Sequence, residues 1–513
     1  VNKIDEKDKD KIEIIPDRFA KTYHNWMENL HDWCISRQIW FGHRVPVWYR
    51  NELKGKSKSG YNIYVGLETP KEDGWIQDTD TLDTWFSSGM WTFSTLLAQD
   101  NQKYKTFEDW IANSPDLKKF HPTSVMETGY DILFFWIARM ILMTTYTLGE
   151  IPFENVYLHG MVRDKQGRKM SKSLGNGIDP IEMIEKYGTD ALRLSMIIGS
   201  SPGNDLKLYE EKIEGYRNFV NKLWNVSRYI ITSFEIEKTN SKINSENLTF
   251  SDKWILGEMS KLINEVSDDL EKYRFSQAGE KIKEFTWDKL ADWYLETSKF
   301  EKDGDKNVIL SKILEDLLKL SHPFIPFVTE QIWQEMGQEK LLMIEKWPER
   351  NDYNDILDIN ESEEYVIEKV HSIIKKIRNA RIENGVDLSR KIKAVIYAGK
   401  YYELIKNEGI LISNLQTGID EIVIKKSGDA IENEVSLNEQ GIDIYLIGMI
   451  DKEKEAKRLK KEIQETEKYI KQIKGKLDNK QFVQNAPAEI VEKEKEKLSE
   501  SENRLKELKK KLA

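Results

Sequence analysis

Cysteine is almost absent from this sequence of 513 residues, and histidines are few. The single cysteine, Cys34, excludes an internal disulfide and any CxxC zinc knuckle built by this chain. The seven histidines show no HExxH spacing of the kind that holds zinc on a helix. We therefore expect no structural metal.

Long apolar runs are also missing. No window comes close to the roughly eighteen uninterrupted apolar residues that indicate a membrane-spanning helix. The opening residues, VNKIDEKDKDK, lack the basic, apolar and small-residue zones of a signal peptide. We therefore predict a cytoplasmic protein without a membrane partner. Because the sequence opens on Val1 and runs directly into charged residues, we also expect it to be part of a longer protein.

Negative charge dominates the sequence as a whole, but it is unevenly distributed. The chain carries a net charge of −10, whereas residues 451–513 hold 19 Lys and Arg against 14 Asp and Glu, a net charge of +5. A basic tail on an acidic body can bind a polyanion, because phosphate contact is local. Charge-rich helices are also often only solvated, so charge alone leaves both interpretations open.

The length predicts several domains, and the first of them has an α/β pattern. IEIIP at 12–16 and NVYLHGMV at 155–162 have the composition of strands. Between them, a mostly apolar series at helical spacing predicts a helix; it consists of Ile132, Phe135, Trp136, Arg139, Met140 and Met143. This alternation is typical of a doubly wound, Rossmann-like parallel sheet. We also expect the aromatic-rich run WCISRQIWFGHRVPVWY at 33–49 to be buried strand and loop.

The rest of the sequence predicts three further regions. From about residue 208 to 390, apolar residues recur three and four apart, which predicts an all-helical domain. Residues 391–448 alternate apolar and polar in KIKAVIYA, DEIVIKK and IDIYLIG, which predicts a small strand-bearing α/β module. Residues 449–513 predict an antiparallel coiled-coil hairpin, with Pro487 in the first turn of its second helix. The two apolar series of this hairpin are Leu459, Ile463, Thr466, Ile470, Ile473 and Leu477, then Val491, Leu498, Leu505, Leu508 and Leu512.

The stretch GRKMSKSLGN at 167–176 fits neither a strand nor a helix pattern. A Walker A loop is excluded, because the Gly-Lys-Ser at 55–57 has Arg50 where that motif needs its first glycine. Lys169 and Lys172 are three residues apart and can swing toward one target. Two mobile cations suit the charge that builds on a triphosphate as its pyrophosphate leaves. A basic surface loop is the alternative interpretation.

Several segments together carry a resemblance to a known family. KMSKS, after a strand and before a helix, resembles the second signature of the class I aminoacyl-tRNA synthetases. The segments WCISRQIWFGHRVPVWY, DTDTLDTWFSSGMWTFSTL, ETGYDILFFWIARMILM and LHGMVRDKQGRKMSKSLGNGIDP resemble the valyl branch, as does NKQFVQNAPAEIVEKEKEKL near the end. The resemblance covers essentially all 513 residues. It implies activation of valine with ATP, with Mg²⁺ as the counter-ion of the nucleotide, and transfer to tRNA(Val).

The isoleucyl branch shares the fold and the KMSKS signature and is the alternative within the family. That branch has WFDSG where this sequence has WFSSG at 85–89, and it often ends in a cysteine zinc module. One cysteine cannot build such a module, and the coiled-coil tail is typical of the valyl branch. The resemblance therefore favours valine.

The resemblance also implies a role for the residues of the loop. Lys169 and Lys172 would contact the phosphates of ATP, and Ser171 and Met170 lie between them in the same nucleotide-binding element. Lys172 corresponds to the lysine more often found touching ATP in the family. A general base is not needed, because the carboxylate of an amino acid is already a nucleophile, and positioning with charge stabilisation suffices.

Further nucleotide contacts are implied on the strands that precede the loop. Gly129 and Asp131 would bind the ribose, since glycine permits close approach and a carboxylate accepts hydrogen bonds from hydroxyls. Asp131 as an ordinary helix N-cap is the alternative. His159 and Gly160 would line the adenine side through backbone groups.

The resemblance places the valine side chain among apolar residues. Trp85, Ile132 and Trp136 would wall a pocket for an isopropyl group. Core packing is the alternative for Trp136, because a tryptophan on an apolar stripe is commonly buried. In the helical region, bases or phosphates could be contacted by Trp287, Trp293 and Arg378, although core packing is the commoner fate of such tryptophans.

Two elements typical of the family are missing from this sequence. None of the seven histidines forms the HxGH signature, and most of the inserted editing domain is absent. We therefore expect a C-terminal portion that is catalytically incompetent alone. The alternative is a free-standing tRNA-binding module, but retention of KMSKS and of the aromatic pocket favours the catalytic portion. A monomer is expected, because the hairpin can satisfy its own apolar seam.

The resemblance divides the sequence into five parts. Residues 1–25 are predicted to be a remnant of the editing insertion, and 26–207 the Rossmann-like catalytic region with its KMSKS loop. Residues 208–390 are predicted to form the helical anticodon-binding domain, 391–448 a small connector, and 449–513 the coiled-coil arm that contacts tRNA.

Overall fold

The computed structural model describes most of the chain between residues 11 and 512. The described residues are 11–51, 61–100, 103–234, 243–301, 305–350, 353, 361–432, 434–449, 452–478 and 488–512. Residues 1–10 of the predicted editing remnant, the Gly-Lys-Ser at 55–57 and the predicted loop with Pro487 lie outside these ranges. The chain folds as two compact units. The first comprises 1–236, 260–287 and 311–350, and the second comprises 237–259, 288–310 and 351–513.

The described strands and helices follow in chain order. The strands are β1 (Glu13–Ile15), β2 (Ser36–Arg37), β3 (Val47–Asn51), β4 (Tyr61–Val65), β5 (Ile76–Gln77), β6 (Thr81–Leu82), β7 (Thr123–Gly129), β8 (Phe153–His159), β9 (Val162–Arg163), β10 (Leu206–Lys207), β11 (Ile392–Tyr397), β12 (Ile419–Lys425), β13 (Val435–Glu439) and β14 (Ile442–Ile447). The first helices are α1 (Arg18–Glu28), α2 (Thr84–Ser88), α3 (Trp91–Asp100), α4 (Phe107–Asn113), α5 (Pro115–Phe120), α6 (Ala138–Leu148), α7 (Pro180–Tyr187), α8 (Thr189–Ile197), α9 (Glu210–Ser233) and α10 (Phe250–Glu271). The remaining helices are α11 (Phe275–Glu284), α12 (Leu295–Ser298), α13 (Lys306–Ser321), α14 (Pro326–Glu335), α15 (Glu361–Glu383), α16 (Tyr402–Ile405), α17 (Gly409–Asn414), α18 (Lys452–Leu477) and α19 (Ala488–Leu512).

The first unit holds the parallel sheet that the alternating pattern predicts. Strand β8 lies in its centre and pairs in parallel with β1 on one side and β7 on the other. Phe153, Val156 and Leu158 of β8 are fully buried, as expected for a strand covered on both faces. Strand β1 belongs to the segment predicted as an editing remnant, and its Ile14 shares the core cluster of this sheet. The editing origin of that segment stays a prediction.

The chain from Tyr130 to Leu148 is helical as predicted, and apart from Met140 the side chains that it buries are not those of the predicted series. A 3-10 turn (Tyr130–Ile132) leads into a π-helix (Leu133–Ile137) and then into α6. Phe135 of the predicted stripe is 47% exposed. The buried side chains are Leu133, Ile137, Ala138, Met140, Ile141 and Thr144. A π turn contains one more residue than an α-helical turn. The residues after it therefore face a different side of the helix from the one that a period of about 3.6 residues predicts.

By length and composition alone, this same helix is apolar enough to cross a membrane. Its buried side chains nevertheless pack in one cluster with Ile14, Val156 and Leu158 of the parallel sheet. That packing is typical of the central helix of a doubly wound sheet. The absence of a membrane partner stays a prediction.

The aromatic run at 33–49 is less buried than the sequence predicts. Trp40 is 97% exposed and Phe41 is 89% exposed, whereas Val45 is buried. The run supplies β2, which pairs with β6, and β3, which is the central strand of the antiparallel sheet β4-β3-β5. Aromatic composition predicts burial only on average, because it does not specify which element covers a given ring.

The region after residue 208 contains the helices α9 to α15, so the predicted helical texture is confirmed. Between α11 and α12, residues Phe285–Tyr294 form a ten-residue π-helix.

Two residues of α8 in the first unit form hydrogen bonds with the backbone at the start of α14. Asp190 at the start of α8 accepts hydrogen bonds from the backbone N–H groups of Phe327 and Val328, the latter at 2.7 Å. Arg193 donates to the carbonyl of Phe324 at 3.1 Å.

The second unit contains the predicted strand-bearing module and the tail. The three predicted strands are present as β11, β12 and β14, and with β13 they form one sheet in the order β12-β11-β14-β13. Helices α18 and α19 pack on each other in opposite directions, as shown by ion pairs from Lys474 to Glu502 and from Lys509 to Glu467. Among the side chains of these two helices that the structure describes, the buried ones are Ile463, Ile470, Ile473, Val491 and Leu508.

Candidate active site

The loop 164–176 leaves the carboxyl edge of the parallel sheet. Strand β8 ends at His159, and β9 follows at once and pairs in parallel with β10. An isolated antiparallel bridge joins Arg163 to Lys169, and Gly167 completes the turn between them with a φ of +83°. The carboxyl ends of the strands are where ligands bind in doubly wound sheets. The predicted phosphate loop therefore lies at the functional edge of its sheet.

Asp164 lies buried at the base of this loop. Its carboxylate accepts hydrogen bonds from the backbone N–H and the Nε of Arg168, both at 2.8 Å, and from Nδ2 of Asn176 at 2.9 Å. The bond from Asn176 is the largest cause that lowers the pKa of Asp164 to about 2; burial opposes it, and the Arg168 contacts add to it. Because folding lowers this pKa, the ionised carboxylate of Asp164 stabilises the folded state. This contribution to the free energy of unfolding is complete above about pH 4 and is lost as the pH falls toward 2.

The predicted loop residues occupy different environments. Met170 is half-buried and packs against the cluster around Met183 and Leu208. Lys169 is exposed and forms no ion pair with any residue that the structure describes. Lys172 opens a short 3-10 turn (Lys172–Leu174), and its side chain is outside the described part of the structure.

Ser171 stabilises the turn that contains Lys172. Its hydroxyl accepts a hydrogen bond from the backbone N–H of Leu174 at 3.3 Å and lies 3.2 Å from the hydroxyl of Ser173. Its own backbone N–H donates to Oδ1 of Asn176 at 3.0 Å. The structure therefore gives Ser171 an internal capping role within the loop.

Gly129 and His159 lie opposite each other where β7 and β8 end. A Cβ on Gly129 would stand 2.6 Å from Oδ1 of Asp131, so the carboxylate of Asp131 folds over the glycine. Asp131 is exposed, and the N-cap position of its 3-10 turn is occupied by Gly129 and not by Asp131. The imidazole Nδ1–H of His159 donates to the carbonyl of Gly160 at 2.8 Å, and its Nε2 lies 3.3 Å from Glu127. These predicted nucleotide residues thus form one polar corner.

Gly160 cannot be replaced without moving the backbone. A Cβ at this position would lie 1.8 Å from the carbonyl oxygen of Asn204. We expect Gly160→Ala to separate β9 from β10 and to destabilise the first unit by about 1–3 kcal/mol. Thermal unfolding measures this loss. Gly177→Ala is the matched control, since a Cβ on Gly177 meets no atom within 4 Å. Equal unfolding of the two variants would contradict the expectation.

Asp205 joins the loop to the polar corner, and no pattern in the sequence pointed to it. Its Oδ1 accepts hydrogen bonds from the backbone N–H of Met161 at 2.9 Å and from the hydroxyl of Tyr130 at 3.0 Å. Its Oδ2 pairs with Nε of Arg163. Burial alone would raise the pKa of Asp205, but these hydrogen bonds lower it overall. A single carboxylate therefore connects the strand before the loop with the turn that follows Gly129.

The predicted pocket residues Trp85 and Trp136 both lie at α2, but their rings belong to two separate pairs, Trp85 with Phe135 and Trp136 with Trp91. Trp85 lies in the first turn of α2, where its backbone N–H donates to the N-cap carboxylate of Asp83, and its ring stacks on Phe135 at a centroid distance of 5.7 Å. Trp136 donates from Nε1 to the carbonyl of Ser88 at 3.1 Å. Ile132 is half-buried in the 3-10 turn that precedes Trp136. Phe135, which the sequence suggested only as part of a helix stripe, is the ring that joins the helix to Trp85.

The aromatic residues suggested for nucleic-acid contact differ in exposure. Trp293 is only 6% exposed, and its ring stacks on His371 at 3.9 Å with the guanidinium of Arg378 5.0 Å away. Burial is the main cause that lowers the pKa of His371 to about 3, so this imidazole stays neutral at physiological pH. Trp287 is 36% exposed, with the ammonium of Lys222 5.2 Å from its ring. Of these two tryptophans, Trp287 is therefore the one whose side chain is exposed enough to contact a nucleic acid.

Three family models match the chain in order. Residues 1–209 match the tRNA synthetases class I (I, L, M and V), residues 252–396 the anticodon-binding domain of tRNA ligase, and residues 451–513 the valyl tRNA synthetase tRNA binding arm. The valine–tRNA ligase of Clostridium tetani is 41% identical over 502 residues, and that of Oceanobacillus iheyensis is 40% identical over 502 residues. The chain belongs to the valyl-tRNA synthetase family. Each of these alignments covers 95% of the chain and 54% of the relative, so the chain spans about half the length of the curated relatives it matches.

The fold of the family is also found among solved structures. The ternary complex LeuRS-tRNA-LeuAMS from Agrobacterium radiobacter aligns with a TM-score of 0.52 at 21% identity, covering 65% of this chain and 45% of that chain. At this identity the likeness concerns the fold alone. It agrees with the class I catalytic fold that the parallel sheet and its loop predict.

Proposed function

We propose that this chain supplies the KMSKS half of a valine–tRNA ligase, which activates valine with ATP and transfers it to tRNA(Val). The observation that carries the proposal is the placement of Lys169. Its side chain is exposed on a loop that follows the carboxyl end of β8, and Lys169 is bridged to Arg163, which Asp205 connects to the turn after Gly129. An exposed cation on a loop at the carboxyl end of a parallel sheet suits the binding of a nucleotide triphosphate.

The proposed chemistry needs positioning and charge more than proton transfer. The valine carboxylate oxygen forms a bond to the α-phosphorus of ATP, and the bond from that phosphorus to the bridging oxygen breaks to release pyrophosphate. Negative charge grows on the leaving pyrophosphate. Lys169, and by resemblance Lys172, would neutralise that charge as it develops. Stabilisation of this kind acts mainly in the transition state and therefore raises kcat.

The polar corner would hold the nucleoside. The missing side chain of Gly129 leaves room for the carboxylate of Asp131, which is exposed and can accept hydrogen bonds from the ribose hydroxyls. His159 and Gly160, at the end of β8, would line the adenine side. Mg²⁺ would arrive as the counter-ion of the nucleotide, held mainly by its phosphates. The described residues hold no group of three or more His, Cys, Asp or Glu that could bind a metal.

The predicted pocket residues Trp85, Ile132 and Trp136 would bind the valine side chain. Trp85 and Trp136 are half-buried, and the hydrogen bond from Trp136 to Ser88 fixes one of the rings. Ile132 lies between the ribose element and Trp136 in the sequence. Rigid indole walls admit a small branched side chain and exclude longer ones by shape.

The helical region and the tail would bind tRNA. The basic tail of helices α18 and α19 would form an antiparallel coiled coil that neutralises tRNA phosphates without reading the sequence. Helices α9 to α15 would form the anticodon-binding domain. The remaining expectations, a cytoplasmic monomer without a membrane partner and the five domain boundaries given above, belong to the same proposal.

The test is valine-dependent exchange of pyrophosphate into ATP. The chain is assayed alone and mixed with the portion of the Clostridium tetani relative that the alignment leaves unmatched. We expect no exchange from the chain alone and restored exchange in the mixture, with valine preferred over isoleucine. Tight binding of tRNA(Val) by the chain without any restored exchange would instead support the non-catalytic tRNA-binding module.

A further inference from the structure

The side-chain amide of Asn176 is hydrogen bonded to three other residues of the loop 164–176. Nδ2 of Asn176 donates to Oδ2 of Asp164 at 2.9 Å and to the carbonyl of Lys169 at 3.2 Å. Oδ1 of the same amide accepts from the backbone N–H of Ser171 at 3.0 Å. The base of the loop, the backbone of the first lysine and the residue before the second lysine are thus held by one side chain.

The amide is itself fixed from below. Asp164 is 6% exposed, and its two bonds from Arg168 fix the orientation of its carboxylate. An ionised acceptor makes the bond from Asn176 stronger than one between neutral groups. The thioether of Met170, between the two backbone positions that Asn176 holds, is half-buried in the cluster around Met183. The backbone from Lys169 to Ser171 is therefore constrained on both sides, whereas the side chain of Lys169 is exposed.

We propose that Asn176, seated on Asp164, is a positioning residue that sets the direction from which the two lysines approach the phosphates of ATP. The proposal rests on the proposed function. Asn176 does not touch the nucleotide; it acts through the backbone of Lys169 and Ser171. Charged groups held in place before the reaction stabilise a transition state better than groups that must first reorganise.

The first measurement concerns the loop itself and does not need activity. Hydrogen exchange of the peptide 169–176 is compared in the wild-type chain and in Asn176→Ala. Loss of the acceptor for the Ser171 amide should speed its exchange roughly three- to tenfold. Asn113→Ala is the matched control, because Asn113 is an exposed asparagine whose Nδ2 likewise donates to an aspartate, Asp109, at 2.8 Å.

The second measurement separates positioning from a structural role. In the mixture that restores exchange, Asn176→Ala should lower kcat for valine activation by about 10- to 100-fold, because small misplacements of reacting groups have such effects. The KM for valine should stay within about twofold, since the hydrogen bonds of this amide go to Asp164, Lys169 and Ser171 and not to the predicted valine pocket. A variant that merely unfolded the region would lose folded enzyme and would change tRNA binding as well.

Exchanging the amide and the carboxylate between positions 164 and 176 tests whether the lost activity can be restored. Asn176→Asp alone should be at least as slow as Asn176→Ala, because it brings two carboxylates together. Adding Asp164→Asn places an amide donor opposite the new carboxylate and keeps an acceptor for the Ser171 amide. The double variant should therefore recover at least about tenfold in kcat over Asn176→Asp.

The outcomes distinguish this proposal from the proposed function. Unchanged exchange of the Ser171 amide in Asn176→Ala, or faster exchange with an unchanged kcat, overturns the positioning role while the ligase assignment stands. Failure of the wild-type mixture to activate valine overturns the ligase assignment, and the positioning role falls with it. Faster exchange, reduced kcat, constant KM and rescue by the swap together support the proposal.

Discussion

Replacing Lys169 by alanine in the mixture that restores activity is expected to slow valine activation by about 10²- to 10³-fold, equivalent to about 3–4 kcal/mol. The ammonium group of Lys169 is exposed beside the carboxyl edge of the sheet and forms no ion pair with any residue in the described ranges, so it is available to a ligand. The effect should fall on kcat with the KM for valine little changed, because the charge that it neutralises develops in the transition state. Pyrophosphate exchange and single-turnover adenylate formation measure both parameters.

Lys165→Ala is the matched control for this expectation. Lys165 lies four residues before Lys169 in the same loop, but its ammonium pairs with Glu211 at 2.5 Å. We expect its replacement to change kcat by no more than about twofold, since exposed ion pairs contribute little. The family resemblance predicts for Lys172→Ala a loss similar to that of Lys169→Ala. If a double variant that lacks Lys169 and Lys172 still activates valine at the wild-type rate, the proposed role of these lysines in neutralising the leaving pyrophosphate is wrong.

The lysines of the loop are marked in the sequence by a family signature, and their role stays a prediction. The residues that hold them could not be predicted. Asn176 and Asp164 are twelve residues apart, and no sequence pattern pairs them. Only the fold shows that they are hydrogen bonded. Asp205 lies 42 residues from Arg163 and was missed for the same reason. Sequence patterns report local chemistry, whereas supporting contacts depend on which strands the fold places side by side.

The fold was predictable where a regular period persists and was misjudged where it breaks. In β11 and β14, buried residues alternate with more exposed ones, as their apolar patterns predict. The helix after Gly129 is apolar almost throughout, so its composition does not mark a buried face, and the π turn at Leu133–Ile137 then shifts the phase. The exposure of Trp40 and Phe41 shows the same limit for aromatic runs.

Replacing Lys306 by methionine is expected to destabilise the second unit by about 3–5 kcal/mol. Lys306 is 6% exposed, and its ammonium lies 2.5 Å from Asp252 and 2.7 Å from Glu301. Asp252 is fully buried and also accepts a hydrogen bond from the hydroxyl of Tyr294 at 2.6 Å. Removal of the cation would leave two carboxylates close together without the charge that bridges them. No sequence pattern indicated this cluster, because Asp252 and Tyr294 lie far from Lys306 in the sequence.

The same cluster stabilises the start of α10. Thr249 and Asp252 form a reciprocal cap, in which each backbone N–H donates to the side chain of the other at 3.0–3.2 Å. Burial and then the charge of Asp252 raise the pKa of Tyr294 well above its ordinary value, so this hydroxyl stays protonated and donates. We therefore expect the loss in Lys306→Met to appear first as faster hydrogen exchange in the peptides of α10 and α13.

Lys406→Met is the matched control for burial. Lys406 pairs with Glu403 at 2.5 Å, the same length as the pair of Lys306 with Asp252, but the Lys406 side chain is 40% exposed and that of Glu403 is 73% exposed. Its replacement should cost at most about 1 kcal/mol. Urea unfolding is followed by hydrogen exchange of individual peptides, because a chain with several domains has no single two-state transition. Adding Asp252→Asn to Lys306→Met should recover part of the loss, because it removes the charge that the first substitution leaves unpaired. Equal costs for Lys306→Met and Lys406→Met would show that burial does not set the strength of these pairs.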